Sequence, residues 1–161
     1  MEKATQMLAK TVSNLQGCTN FKLRRLTRRV SQHFDIEMSK VGLKTTQYSL
    51  LSHVLKVGHS RPGELAQAMT MDASTLTRNL KPLVDAGWVT VTAGSDARSR
   101  TVTITEAGRD KRREAQRHWK AAQDGLNQLL GVERLLAMHA LMDESLELLS
   151  QVREEGDSGG K

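Results

Sequence analysis

A single cysteine among 161 residues excludes a disulfide within the chain and any cysteine-rich zinc site. Aromatic side chains are scarce as well, at 3%, too few for the stacking platforms that hold single-stranded bases. No apolar run approaches the roughly 18 residues of a membrane span. Met1–Lys10 lacks an apolar signal-peptide segment, so the chain reads as a soluble, cytoplasmic protein. Also missing are a phosphate-cradling glycine loop, a metal motif and a credible Ser/His/Asp or Cys/His spacing, so no catalytic residue, metal or cofactor is assigned and no enzyme is expected. With only 2 prolines and 12 glycines, long helices are predicted.

What the chain does have is basic charge, unevenly spread. The net charge is +6, which favours a polyanionic partner. Residues 1–60 hold ten basic and three acidic side chains, whereas residues 121–161 hold three and eight. A basic body with an acidic end suits a protein that touches nucleic acid with part of its surface. The length fits one domain with a dimerising extension.

Leu23, Leu26, Val30, Phe34, Met38 and Val41 recur at the helical period, with Arg24, Arg25, Arg28 and Arg29 largely off that stripe. Gly42 should end this helix. Thr45 or Thr46 suits the cap of a second, closed by Gly58, and Ser60 the cap of a third that begins at Pro62. Asp72 should cap a fourth helix running to about Ala86, with Gly87 at its end. Val89–Thr92 and Thr101–Ile104 then alternate with period two and read as strands around a polar loop. Thr105 should cap a long helix broken near Gly131, and a last helix carries Leu135, Met138, Met142, Leu146 and Leu149.

The predicted fold is mostly α with a small β-hairpin: a winged helix-turn-helix core flanked by terminal dimerisation helices. Residues 43–105 form the DNA-binding domain, 1–42 and 106–153 the helical dimerisation region, and 154–161 a flexible tail. The second helix of the helix-turn-helix is the candidate for the major groove. It offers Ser74, Thr75, Thr77, Arg78, Asn79 and Lys81: guanidinium for guanine edges, amide for adenine, hydroxyls for phosphates. A plain amphipathic helix would share that pattern, but the hairpin beside it favours DNA. The loop carries Arg98, Ser99 and Arg100, suited to the minor groove or the phosphates, and Asp96, whose carboxylate can brace an arginine.

Glu64–Met69, Asp72–Arg78, Asp85–Val89, Asp96–Arg100 and Ile104–Gly108, in that order, resemble the core of the MarR family (multiple antibiotic resistance regulators). The resemblance implies a homodimeric winged-helix regulator, usually a repressor, of pseudo-palindromic double-stranded DNA. By that analogy Arg98 enters the minor groove, Asp96 holds the wing, and the fourth helix continues past Pro82. Propensity alone would stop it at Lys81, since an internal proline costs about 3 kcal/mol.

An effector, a small aromatic or carboxylate molecule, would find suitable chemistry in Arg24, Arg28, Tyr48 and His53. Cys18, near a helix start with Lys22 one turn along, offers a peroxide-sensing alternative. Its distance from Tyr48 resembles that in the hydroperoxide-sensing branch, whose tyrosine-rich surroundings are missing here. His33 and Glu37 share a helix face, yet two ligands do not make a metal site. A non-specific architectural DNA-binding protein is the alternative of another class.

Overall fold

The computed structural model describes residues 18–93 and 100–158, with side chains as far as Gln151. Helix α1 (Thr19–Ser39) is followed by α2 (Thr45–Val57), α3 (Pro62–Ala68) and α4 (Ala73–Asp85). The antiparallel strands β1 (Val89–Ala93) and β2 (Arg100–Ile104) come next, then the long helices α5 (Glu106–Leu130) and α6 (Val132–Ser158). This is the predicted winged helix-turn-helix with helices before and after it. The backbone of α6 runs to Ser158, past residue 153 where a tail was expected. No helix among the described residues is long and apolar enough to cross a membrane.

The core lies where α2, α3, α4 and the hairpin converge under the end of α1 and the start of α5. Met38, Leu50, Leu51, Val54, Leu65, Leu76, Leu83, Val89 and Val102 are fully buried there. Helix α4 obeys its apolar spacing: Leu76, Leu80 and Leu83 face this core. It also runs through Pro82 to Asp85, as the family resemblance implied. Pro82 lies on the solvent side, where the Arg78 carbonyl that loses its helical donor is within reach of water.

Two helix starts differ from expectation, both for tertiary reasons. The cap of α2 is Lys44, whose backbone N–H donates to the Gln47 side chain at 2.8 Å. Thr45 is the first helical residue, and its N–H and hydroxyl both donate to Asp35 of α1, at 2.7 and 2.6 Å. The cap of α3 is Arg61 rather than Ser60, with the Glu64 carboxylate accepting its N–H at 2.9 Å. Ser60 is pulled into the sheet instead, bridged through its backbone to Val102.

A knot of contacts joins the hairpin base to α5. The Thr105 hydroxyl donates to the Gly87 carbonyl at 2.7 Å and accepts the Gly108 N–H at 3.0 Å, while the Thr105 N–H donates to the Trp88 carbonyl at 3.0 Å. Gly87 has φ of +72°, a left-handed turn out of α4 that a Cβ would oppose. Gly108 is required by closeness: a Cβ there would sit 2.0 Å from the Trp88 carbonyl oxygen.

Candidate nucleic-acid interface

The helix-turn-helix begins with α3, whose Leu65 and Ala66 are buried. Its turn closes through the Met71 N–H on the Ala66 carbonyl at 2.8 Å, with Thr70 forced to φ of +52°. Asp72 then starts α4. One of its carboxylate oxygens accepts the Thr75 N–H at 2.7 Å and the Ser74 hydroxyl at 2.6 Å, and the other accepts the Thr75 hydroxyl at 2.7 Å. These bonds, Ser74's first and Thr75's next, hold the Asp72 carboxyl far below the usual carboxylate range. The cap therefore stays charged and the first turn of α4 rigid.

That network sorts the predicted readers. The protons of the Ser74 and Thr75 hydroxyls are committed to Asp72, and that of Thr77 to the Ala73 carbonyl at 2.8 Å. Their oxygens keep lone pairs to accept a base amino group. Arg78 is exposed, and among the described residues no carboxylate pairs with it; its nearest anchor is the Thr75 hydroxyl at 3.3 Å. Lys81 is exposed but tethered to Asp85 at 2.8 Å, a weak surface pair. Asn79 is half-buried, with its amide on the Met71 sulfur at 3.8 Å, which places it at the turn rather than beside Arg78. The outer face of α4 is thus Ser74, Thr77, Arg78 and Lys81.

In the hairpin, Val89 pairs with Ile104 and Ala93 with Arg100, so the wing loop springs from the Ala93–Arg100 pair. Arg100 is exposed at its base. Asp96, Arg98 and Ser99 lie outside the described residues.

The effector candidates separate. Tyr48 and His53 line a cleft of about 450 Å³ between α2 and α5, with Ser52, Arg112, Gln116 and Trp119. Arg24 and Arg28 do not line it. Arg28 sits with Phe21, Arg25, Arg29 and Gln32 on the outward side of α1. The cleft's cation is Arg112, which donates to the Ser52 hydroxyl at 3.3 Å and lies 5.7 Å from the Tyr48 ring centroid. Tyr48 in turn stacks on Trp119, 6.2 Å between centroids. Such a site offers flat apolar walls, hydroxyls and one guanidinium to a planar anion. Arg112 was missed, although its seven-residue spacing to Trp119 puts both on one helix face.

Cys18 is exposed as the residue that caps α1. His33 and Glu37 do not converge on an ion. His33 Nε2 lies 2.8 Å from the Ala122 carbonyl, and Glu37 bonds Lys40 and His118 at 2.5 and 3.3 Å. The bond from Lys40, then that from His118, keeps the Glu37 carboxyl below its ordinary value. Among the described residues no group of three or more His, Cys, Asp or Glu could hold a metal.

Known proteins share this architecture. The family profile described as MarR family matches residues 41–99. The M. tuberculosis transcriptional regulator MosR, solved in complex with DNA, is 30% identical, with a TM-score of 0.70 over 83% of this chain and 98% of that one. A mutant MarR from E. coli complexed with operator DNA superposes with a TM-score of 0.72 at 19% identity, over 79% of this chain and 92% of that one, a likeness of fold. The uncharacterized HTH-type transcriptional regulator YwoH of Bacillus subtilis is 27% identical over 84 residues, or 52% of this chain. The match spans 61% of that relative, less than two thirds of its length.

Proposed function

This chain belongs to the MarR family, and from that premise we propose that it represses transcription as a homodimer on pseudo-palindromic double-stranded DNA. Helix α4 enters the major groove, the wing with Arg98 and Arg100 meets the minor groove, and Asp96 braces the wing. The observation that carries this reading is the division of α4: Leu76, Leu80 and Leu83 are buried, while Ser74, Thr77, Arg78 and Lys81 stand outside. The DNA bound by MosR and by E. coli MarR in their solved complexes supports the same partner here. The terminal helices form the dimer and set two copies of α4 about 34 Å apart, one turn of B-DNA. The regulator works in the cytoplasm, and a small aromatic carboxylate in the cleft of Tyr48, His53 and Arg112 is its effector.

Competition binding at fixed salt tests this. One pseudo-palindrome should be preferred over bulk DNA by about 10³-fold or more. A steep salt slope with no such preference would mark an architectural DNA-binding protein instead. Titrating the protein–operator complex with aromatic carboxylates and with peroxides, beside Cys18→Ser, tests the effector. Release by carboxylate, unchanged in the variant, supports the cleft; release by peroxide that the variant abolishes assigns the signal to Cys18.

A further inference from the structure

One side of α1 carries cations that no carboxylate of the described chain engages. Residues 19–34 hold five of them, Lys22, Arg24, Arg25, Arg28 and Arg29, and no acid. Among the described residues none of the five joins an ion pair, and Arg29 has only a long bond of 3.4 Å to the Gln32 amide oxygen. Arg24 and Arg28 are four apart, as are Arg25 and Arg29, a spacing at which like charges weaken an isolated helix. The arrangement works against the helix, and a bound polyanion offsets it.

At about 100° per residue, Phe21, Arg25, Arg28 and Gln32 fall within an arc of about 60°, with Arg29 beside it. Leu23, Leu26, Val30 and Phe34 fall on the opposite side. That apolar side is the one that packs: Leu23, Leu26 and Val30 line a groove with Leu126 of α5 and Met138 and Met142 of α6. The arginine side faces away from both helices, and Phe21, Arg25, Arg28, Arg29 and Gln32 are all exposed there. It is also far from the reading head. His33 meets Ala122 and Glu37 meets His118, so α1 runs antiparallel to α5. Continued along both helices, that register sets Arg25–Arg29 beside the end of α5. Its start at Glu106, next to the hairpin, is about 30 Å away at 1.5 Å per residue.

The chemistry of this side selects its partner. Three guanidiniums and an amide, spread over about 10 Å of helix, supply the donors that phosphate oxygens accept, the guanidiniums two at a time. One exposed phenyl ring is too little for the apolar centre of a protein interface. An open helix side has no walls to enclose a small anion. A phosphate backbone needs neither. We infer that the outward side of α1 binds the backbone of duplex DNA without regard to sequence, so that a molecule seated on its operator through α4 holds a second stretch of duplex at its far end. The holding of two duplexes rests on the operator binding proposed above; the backbone contact itself does not.

The experiment fixes a duplex carrying the preferred pseudo-palindrome to beads, loads it with the full chain, and adds a labelled random-sequence duplex at low salt. Wild type should capture the labelled duplex. R25Q/R28Q/R29Q should load the beads like wild type and capture at least about tenfold less. On free protein, the same variant should bind the random duplex with a log–log salt slope shallower by about 2 to 3, at roughly 0.9 per phosphate contact. Wild-type beads that capture no labelled duplex, or a variant that captures as much as wild type, overturn the second contact. A variant that no longer loads the beads also overturns it and assigns the arginines to the operator duplex itself. Capture of labelled polyglutamate in place of duplex overturns it in favour of an acidic protein partner. If no pseudo-palindrome is preferred at all, the operator reading falls and the salt slope decides alone: a variant slope equal to wild type overturns the backbone contact.

Discussion

The winged unit and the terminal helices treat their apolar residues in opposite ways. Within the winged unit, Leu50, Leu51, Val54, Leu65 and Leu83 are completely removed from solvent by the same chain. On the terminal helices, Phe21, Leu136, Leu141, Leu146, Leu148 and Leu149 remain between 56% and 67% exposed. The difference teaches that the winged unit closes a core of its own, whereas the terminal helices leave much of their apolar surface to solvent.

This contrast can be broken by substitution. Leu51→Ala should cost about 2–5 kcal/mol in urea unfolding, a cavity in a closed core. Leu148→Ala should instead leave dilute protein within about 0.5 kcal/mol of wild type and flatten the rise of the unfolding midpoint with protein concentration. Equal costs at the two positions would erase the distinction. Gly108→Ala should cost about 3 kcal/mol, since its Cβ meets backbone that cannot yield. Arg78→Ala should lose about 1–3 kcal/mol of discrimination at one base position in each half-site, with melting unchanged, as expected of an outward residue on a self-sufficient unit. Thr70→Gly should stabilise the chain by about 1 kcal/mol by relieving its left-handed backbone.

The smallest effect is confined to acid. Because the folded-state pKa of Asp72 is depressed, its contribution to stability is fully present above the ordinary aspartate range and is lost as pH falls through the folded value. The melting difference between wild type and Asp72→Asn should therefore be flat near neutrality and shrink at strongly acidic pH. A difference that grows on acidification would refute the cap's role.

Much of this architecture was legible in local pattern. Asp72 and Thr105 cap their helices through their own side chains, and the β-branched alternation of residues 89–92 and 101–104 places both strands. Passage of α4 through Pro82 came from family likeness, because propensity alone argues against it. What escaped was tertiary. Thr45 looks like a cap until Asp35, ten residues earlier, claims its hydroxyl. Ser60 looks like one until Val102 claims its backbone. Arg24 and Arg28 were placed by chemistry alone, with no account of which side of α1 faces the cleft. Arg112 stayed hidden in a run of six charged residues, with Trp119 further along marking the inward side.

The bonds around Thr105 give α5 the mechanical character of a crank. The start of that helix is pinned to the rear of α4 through Gly87 and Trp88, while Trp119 lies about 21 Å further along at 1.5 Å per residue. A tilt of about three degrees, pivoting at Trp119, would swing the pinned end by about 1 Å. Hydrogen bonds to base edges tolerate less than that, so if α4 reads DNA as proposed, a molecule wedged beside Trp119 would need only a slight push to put it out of register.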